Sequence, residues 1–199
     1  MEQLFLYSTT DFIILIIISY LCGSIPFGLL ISKSFGLDDL RTKGSGNIGA
    51  TNAWRVGGKK IGLLTFFCDA MKCFLPTIVF KHLFDVNLGA LSGLIAIIGH
   101  MFPIWLKFKG GKGVSSMFGL LFAATPVIAV FTSLSWLLIF KKTRLVSLAS
   151  LTSMLFAAIT SYFLIDLFVF IIYLLIALLI VITHRSNINR LINNKENKI

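Results

Sequence analysis

Runs of apolar residues long enough to cross a bilayer, divided by short basic loops, constrain this chain more than any other feature. Phe12 to Ser34, Ile61 to Phe80, Leu88 to Leu106, Leu145 to Leu164 and Leu167 to Thr183 are each close to the ~20 residues that a hydrocarbon core requires. With 57% hydrophobic and only 13% charged residues, and a mean hydropathy of +0.92, the chain has too little polar surface to coat a soluble globule. An all-α integral membrane protein follows, read as a single polytopic domain over residues 1–199. Met1 to Asp11 carries acids and no Lys or Arg, and no small-residue cleavage site follows, so no secretory signal is expected. Cys22, Cys68 and Cys73 fall in apolar segments without metal spacing or an even framework, and read as small buried side chains.

The remaining apolar stretch, Val114 to Phe140, needs a topological argument. As one long span it would put Lys141, Lys142 and Arg144 across the membrane from the loop Lys107 to Lys112. Short loops rich in Lys and Arg stay on the cytoplasmic side. A break at Ala124-Thr125-Pro126 resolves the conflict, giving Val114 to Ala124 and Val127 to Phe140. The expectation is seven transmembrane helices, N-terminus outside and C-terminus cytoplasmic. All of the 18 Lys and Arg except Lys72 and Lys81 then face the cytoplasm, and Glu2, Asp11, Asp85 and Asp166 face outward. At ~1.5 Å per residue, Val114 to Ala124 falls far short of a ~30 Å core, so it is expected to be a short or half-depth helix lining a cavity.

This topology gathers the polar loops on one face. Gly44-Ser45-Gly46-Asn47-Ile48-Gly49-Ala50-Thr51-Asn52 with Arg55, Lys107 to Gly113, the turn from Lys141 to Ser150, and the tail from His184 all emerge there. In Lys107 to Gly113 the glycines let backbone N–H groups approach an oxyanion, a helix start adds its positive dipole end, and Lys112 supplies a full charge. His184, Asn187 and Arg190 lie along one helical stripe. Glycines, hydroxyls, carboxamides and cations at one boundary suit an anionic ligand rich in oxygen, with phosphate the obvious case. Nucleic acid is not expected as a partner.

Plainer readings cover part of this inventory. Lys33, Lys59, Lys60, Lys141 and Lys142 suit topology signals and anionic lipid contacts. Asp69 and Lys72, three residues apart, suit an ion pair that lowers the insertion cost of each. His82 suits an interface position and His100 a structural one. Pro26, within Gly23-Ser24-Ile25-Pro26-Phe27-Gly28, frees a backbone carbonyl, tolerable only where protein or substrate meets it. Anchoring alone accounts for neither the glycine spacing nor the uncharged amides around Ser45, Asn47, Asn52, Arg55, Lys112, His184 and Asn187.

Four motifs carry a family resemblance: Gly23-Ser24-Ile25-Pro26-Phe27-Gly28; Gly44 to Asn52 with Arg55; Gly99-His100 to Lys109-Gly110-Gly111-Lys112-Gly113-Val114; and His184-Arg185, Asn187-Ile188 and Arg190-Leu191 with Glu196. In order and spacing the chain resembles the PlsY family, bacterial acyl-phosphate:glycerol-3-phosphate acyltransferases. It departs from that pattern at Ser115-Ser116, where Ala-Thr is common, and at Asn194, where Gly is expected; both bear on loop geometry. The resemblance implies a multi-pass protein of the bacterial cytoplasmic membrane with its active site on the cytoplasmic side. The implied reaction moves a fatty acyl group from acyl phosphate to the 1-hydroxyl of glycerol 3-phosphate, giving lysophosphatidic acid and phosphate, the first step of phospholipid synthesis. The phosphate acyltransferase PlsX would supply the donor, membrane lipid would surround the site, and no metal or cofactor is called for.

The chain has neither a Gly-x-Ser-x-Gly nucleophile motif nor the His-x4-Asp signature of acyl-CoA-dependent glycerophosphate acyltransferases. Acyl phosphate is already activated, so direct attack by the substrate hydroxyl is expected, without an acyl-enzyme. Lys112, Ser45 and the N–H groups of Gly110, Gly111 and Gly113 are candidates to hold the acyl phosphate, with Ser150 at a matching family position. Arg55, His184 and Asn187 are candidates for glycerol 3-phosphate, with Asn47 and Asn52 alongside. The proton would go to His184 or to a substrate phosphate whose second pKa is near ~6. A transporter or channel for phosphorylated anions is the rival reading, favoured by the break at Pro126. It is opposed by the clustering of polar residues at one boundary and the lack of a repeat between halves. A lipid-binding scaffold leaves the Asn and Ser content of the glycine loops without a reason.

Overall fold

A computed structural model describes residues 8–198, in which every regular element is helical. Glu2 and the rest of Met1 to Tyr7 lie outside the described residues. Helix α1 (Thr9–Ser24) opens on a reciprocal cap, the Ser8 hydroxyl accepting from the Asp11 N–H at 3.2 Å while the Ser8 N–H donates to Asp11 Oδ2 at 3.0 Å. It ends at the break before Pro26, and α2 (Phe27–Ser34) continues the crossing. The Ile25 carbonyl at this break receives Lys72 Nζ at 2.7 Å, and the same ammonium lies 2.8 Å from Asp69 Oδ1. The buried pair therefore does more than neutralise itself: its ammonium also binds a backbone carbonyl at the break in another helix. His100 approaches the pair, its Nδ1 3.7 Å from Asp69 Oδ1.

Helix α3 (Ala50–Leu83) starts earlier than the apolar pattern predicts and is sharply kinked at Gly58, whose φ of 81° and ψ of 178° belong to a region that residues with a Cβ avoid. The turns before the kink fold back, so that Gly62 lies against Trp54 and the Ala50 carbonyl. Helix α4 (Val86–Met101) packs on α1 through small residues. Gly23 lies against the backbone of Ala96, Gly99 against Tyr20, and the Ser19 and Ser92 hydroxyls meet at 2.8 Å.

Helix α5 (Val114–Ala124) has the expected bounds; its 11 residues rise only about 16 Å. It is held against α3 by Gly119 on the Ala70 backbone and by the Ser116 hydroxyl donating to the Asp69 carbonyl at 3.1 Å. Its C-terminus ends inside the protein, and Lys81 donates to the Ala123 and Ala124 carbonyls at 3.2 and 2.9 Å. Lys81, one of the two cations the charge rule leaves over, is thus a cap on a half-depth helix, where an ammonium also opposes the negative dipole end. Thr125 then turns the chain, its hydroxyl 2.7 Å from that of the buried Tyr173. Pro126 opens α6 (Pro126–Thr143), the helix position where a missing N–H costs least.

Helices α7 (Val146–Leu164) and α8 (Leu167–Thr183) complete the bundle, and α9 (Arg185–Ile192) leaves α8 at a 67° bend. Five stretches are long and apolar enough to cross a membrane: Thr9–Ser34, Ala50–Leu83, Val86–Leu106, Pro126–Thr143 and Val146–Leu164. Joining α8 and α9 across their bend makes a sixth, and α5 is too short to cross alone. Among the described residues the expected seven segments thus correspond to five stretches long and apolar enough to cross, one bent pair and one short helix.

Candidate active site

The fold-back at Gly58 and the early start of α5 leave a cleft of about 550 Å³ at one end of the bundle. Its polar wall comes from the loop before α3, the first turns of α3, α5 and α7, the α8–α9 junction and the tail. Its other wall is apolar, with Leu63, Phe66, Phe118, Phe122, Leu137 and Phe140, several of them exposed on the bundle exterior. Ser45, Asn47, Asn52, Arg55, Lys112, Gly113, Ser150, His184 and Asn187 all line it.

Within the first loop, Gly44 and Gly46 take φ of 58° and 72°, and Asn52 braces the resulting turn from inside. Its Oδ1 accepts the Ser45 N–H at 2.8 Å, and its Nδ2 donates to the carbonyls of Leu40, Lys43 and Asn47 at 2.9, 3.1 and 2.8 Å. Asn52 shapes the loop, and its NH₂ donors are all engaged, leaving none for an oxyanion. The Asn47 Oδ1 accepts the Gly49 N–H at 2.9 Å, leading into an α3 N-terminus without a side-chain cap. The first N–H groups of α3 face the cleft with the dipole behind them. Arg55, one turn further, makes no ion pair among the described residues.

The Lys107 to Gly113 loop differs from its sequence reading at two positions. The Gly110 N–H donates to the Met101 carbonyl and that of Gly111 to the His100 carbonyl, each at 3.0 Å, so these donors hold the loop against α4. Neither glycine lines the cleft, and Gly111 lies so close to the His100 ring that no side chain fits there. Gly113 does line it, at φ 87°, as the uncapped start of α5. Lys112 donates from Nζ to Asn187 Oδ1 and accepts at its own carbonyl from the Thr183 hydroxyl at 3.2 Å. Burial, with Arg190 and Arg55 adding to it and Glu196 opposing, lowers its pKa to about 8.

His184 sits at the α8–α9 bend with its Nδ1–H donated to the Ile180 carbonyl at 2.8 Å, so Nε2 carries the lone pair of the neutral ring. Burial and then the Lys112 charge lower its pKa to about 4. Ser150 donates its hydroxyl proton to the Val146 carbonyl at 2.8 Å and accepts from Trp136 Nε1 at 3.1 Å, so toward a ligand it can only accept. Asn194, the departure in the tail, has φ 53°. The Asn194 N–H donates to the Leu191 carbonyl at 3.1 Å and the Lys195 N–H to that of Arg190 at 2.7 Å, the helix-ending turn that usually carries Gly and tolerates Asn. The reversal brings Glu196, which closes the fourth motif but is absent from the candidate binding residues, onto the site. Its signal in sequence is that it is the sole acid in the basic tail after His184.

What fold and cleft define is a multi-pass helical membrane protein in which oxyanion donors adjoin an apolar groove. The family profile described as "Glycerol-3-phosphate acyltransferase" matches residues 13–194. Glycerol-3-phosphate acyltransferase of Aquifex aeolicus is 45% identical over 190 residues, 92% of this chain and 97% of its own; that of Bartonella henselae is 43% identical over 203 residues, 100% and 95%. Crystal structures of the integral membrane enzyme PlsY in its glycerol 3-phosphate and lysophosphatidic acid forms superpose with TM-scores of 0.90 and 0.88, at 42% and 41% identity, each covering 94% of both chains. The chain belongs to the PlsY family of integral membrane glycerol-3-phosphate acyltransferases.

Proposed function

We propose that the protein transfers a fatty acyl group from acyl phosphate to the 1-hydroxyl of sn-glycerol 3-phosphate, giving lysophosphatidic acid and inorganic phosphate. The observation that carries this reading is the junction, in one cleft, of Lys112, Arg55 and two uncapped helix N-termini with an aromatic and aliphatic groove. An acyl phosphate needs both halves of that cleft: a phosphate cradle, and a path for a chain that belongs in lipid. The similar PlsY structures in glycerol 3-phosphate and lysophosphatidic acid forms support the acceptor and the product.

The acceptor hydroxyl oxygen attacks the acyl carbon, the bond from that carbon to the phosphate oxygen breaks, and the electron pair leaves with phosphate. Lys112 and the first N–H groups of α5 stabilise the departing charge, with Ser45 beside them. Arg55 and Asn187 hold the acceptor, and the Nε2 of His184 receives a hydrogen bond from its hydroxyl. Burial disfavours the charged form of the ring and so weakens it as a base, whereas a phosphate with a second pKa near ~6 is matched to the task. The departing phosphate therefore takes the proton and leaves as hydrogen phosphate. No side chain forms an acyl intermediate, and the donor's phosphoanhydride-like bond supplies the driving force.

In this reading the enzyme lies in the bacterial cytoplasmic membrane, its cleft on the cytoplasmic side where the Lys- and Arg-rich loops collect, and the phosphate acyltransferase PlsX supplies its donor. The test is an assay of detergent-purified protein with acyl phosphate, acyl-CoA and acyl carrier protein side by side. Phosphate release with acylglycerol phosphate formation from acyl phosphate alone is expected; equal or faster transfer from acyl-CoA would overturn the donor assignment.

A further inference from the structure

Three buried hydroxyls line the cleft, those of Ser115, Ser147 and Ser150. Two of them have already given their protons away. Ser150 donates to the Val146 carbonyl at 2.8 Å, and Ser147 to Glu196 Oε1 at 2.9 Å, an oxygen on which Asn187 Nδ2 also converges. Among the described residues no group takes the proton of Ser115, although this residue is only 8% exposed. A hydroxyl that gives up water without gaining a partner destabilises the fold, so an uncommitted one in a cleft is a place for a ligand to bind.

Ser115 and Ser116 stand in the first turn of α5, not in the loop before it, and they meet different neighbours. Ser116 donates to the Asp69 carbonyl at 3.1 Å and, with Gly119 three residues on, forms the side of α5 that packs on α3. Ser115 shares a helical stripe with Phe118 and Phe122, three and seven residues on, and all three line the cleft. That stripe is polar at the helix start and aromatic beyond it. Ser115 thus sits where the uncapped N–H groups after Gly113 give way to the apolar wall.

An acyl phosphate has a junction of the same kind, between its phosphoryl group and its chain. We propose that the Ser115 hydroxyl donates a hydrogen bond to a phosphoryl oxygen of the bound acyl phosphate, adding a neutral donor to the Lys112 ammonium and the first N–H groups of α5. Ser115 is one of the positions at which the chain departs from the family pattern, where Ala is common, so the contact is one that an Ala-bearing site lacks. No bond to Ser115 forms or breaks, and the hydroxyl keeps its proton. The same contact serves the donor before transfer and the inorganic phosphate after it, so it strengthens binding of both and changes the chemical step little.

The inference rests on the proposed acyl transfer, and two readouts on the full-length protein in detergent keep them apart. Binding of inorganic phosphate is read without turnover, as thermal stabilisation in saturating glycerol 3-phosphate; donor use is read as kinetics with acyl phosphate. Wild-type protein inactive with acyl phosphate defeats the proposed reaction, while the phosphate titration still decides the Ser115 contact. Ser115→Ala is expected to raise the phosphate concentration for half-maximal stabilisation and the KM for acyl phosphate, each about five- to tenfold. It should leave kcat within about twofold and the KM for glycerol 3-phosphate unchanged. A merely structural hydroxyl would lower the unfolding temperature of the ligand-free variant with neither constant moved, and that result overturns the inference. So does a shift confined to the KM for glycerol 3-phosphate, or a wild type that phosphate fails to stabilise. A fall in kcat of a hundredfold or more with phosphate binding unmoved overturns it too, by giving the hydroxyl a part in the chemical step. Should Ser115→Ala fail to purify as a single species, Ser115→Cys, similar in size but a weaker donor, decides: weakened phosphate binding supports the inference and wild-type binding overturns it.

Discussion

At the end of the bundle away from the cleft, the N-termini of α1, α4 and α8 are each closed by a carboxylate: Asp11 with Ser8, Asp85 on the Leu88 N–H at 2.8 Å, and Asp166 on the Val169 N–H at 2.8 Å. At the cleft end, α3, α5 and α7 begin at Gly49, Gly113 and Leu145 with no side-chain cap, among Arg55, Lys112 and Arg190. The unmet donors of a helix start are the same at either end. Where acidic caps meet them they become structure, and where cations surround them they stay open to an anion. The partial helix α5 spans both regimes, its N-terminus open to the cleft and its C-terminal carbonyls met by Lys81.

This contrast can be broken most directly at Lys112. Lys112→Ala is expected to lower phosphate release by about 10²–10³-fold or more, and near-normal turnover would show that the open end works without its cation. A pH profile comes next. In the proposed mechanism the cationic form of Lys112 is the active one, so kcat/KM should fall about tenfold per unit above a pH of about 8. The limb for kcat should lie higher, because two bound phosphates hold the ammonium charged; an alkaline limb absent up to pH 10 would remove Lys112 from that role. His184→Gln is expected to keep kcat within a few-fold while raising the KM for glycerol 3-phosphate about tenfold. A collapse of kcat at saturation would instead make His184 the base.

Two smaller effects sharpen the contrast through stability. Gly58→Ala forces a Cβ into a backbone region reserved for glycine and should cost about 1–3 kcal/mol, read as a lower unfolding temperature with weakened substrate binding. Asp166→Ala should cost about 1 kcal/mol of stability at the closed end and leave kcat/KM unchanged. A fall in kcat/KM there would mean that the two ends are coupled.

The apolar spans, the breaks at Pro26 and Pro126 and the bounds of α5 were legible because hydrophobic run length and proline act locally. The candidate residues converged for a related reason: the rule that keeps Lys and Arg loops on one side acts on loops, and the polar motifs sit in those loops. The same local logic erred at Gly110 and Gly111, whose N–H groups look available until the chain turns back on α4 and gives them the carbonyls of Met101 and His100. It also grouped Asn52 with the ligand contacts, although three backbone carbonyls engage its amide.

The sequence by itself determined that this is a helical membrane protein whose polar and cationic loops collect at one boundary, since composition, span length and charge placement are properties of segments. Only the tertiary structure decided which donors remain open. The fold-back at Gly58, the Lys81 cap and the Glu196 bonds each join residues distant in the chain or across a reversal. A hydrogen-bonding group is a ligand contact only when no other part of the protein reaches it first, and that competition is settled by packing.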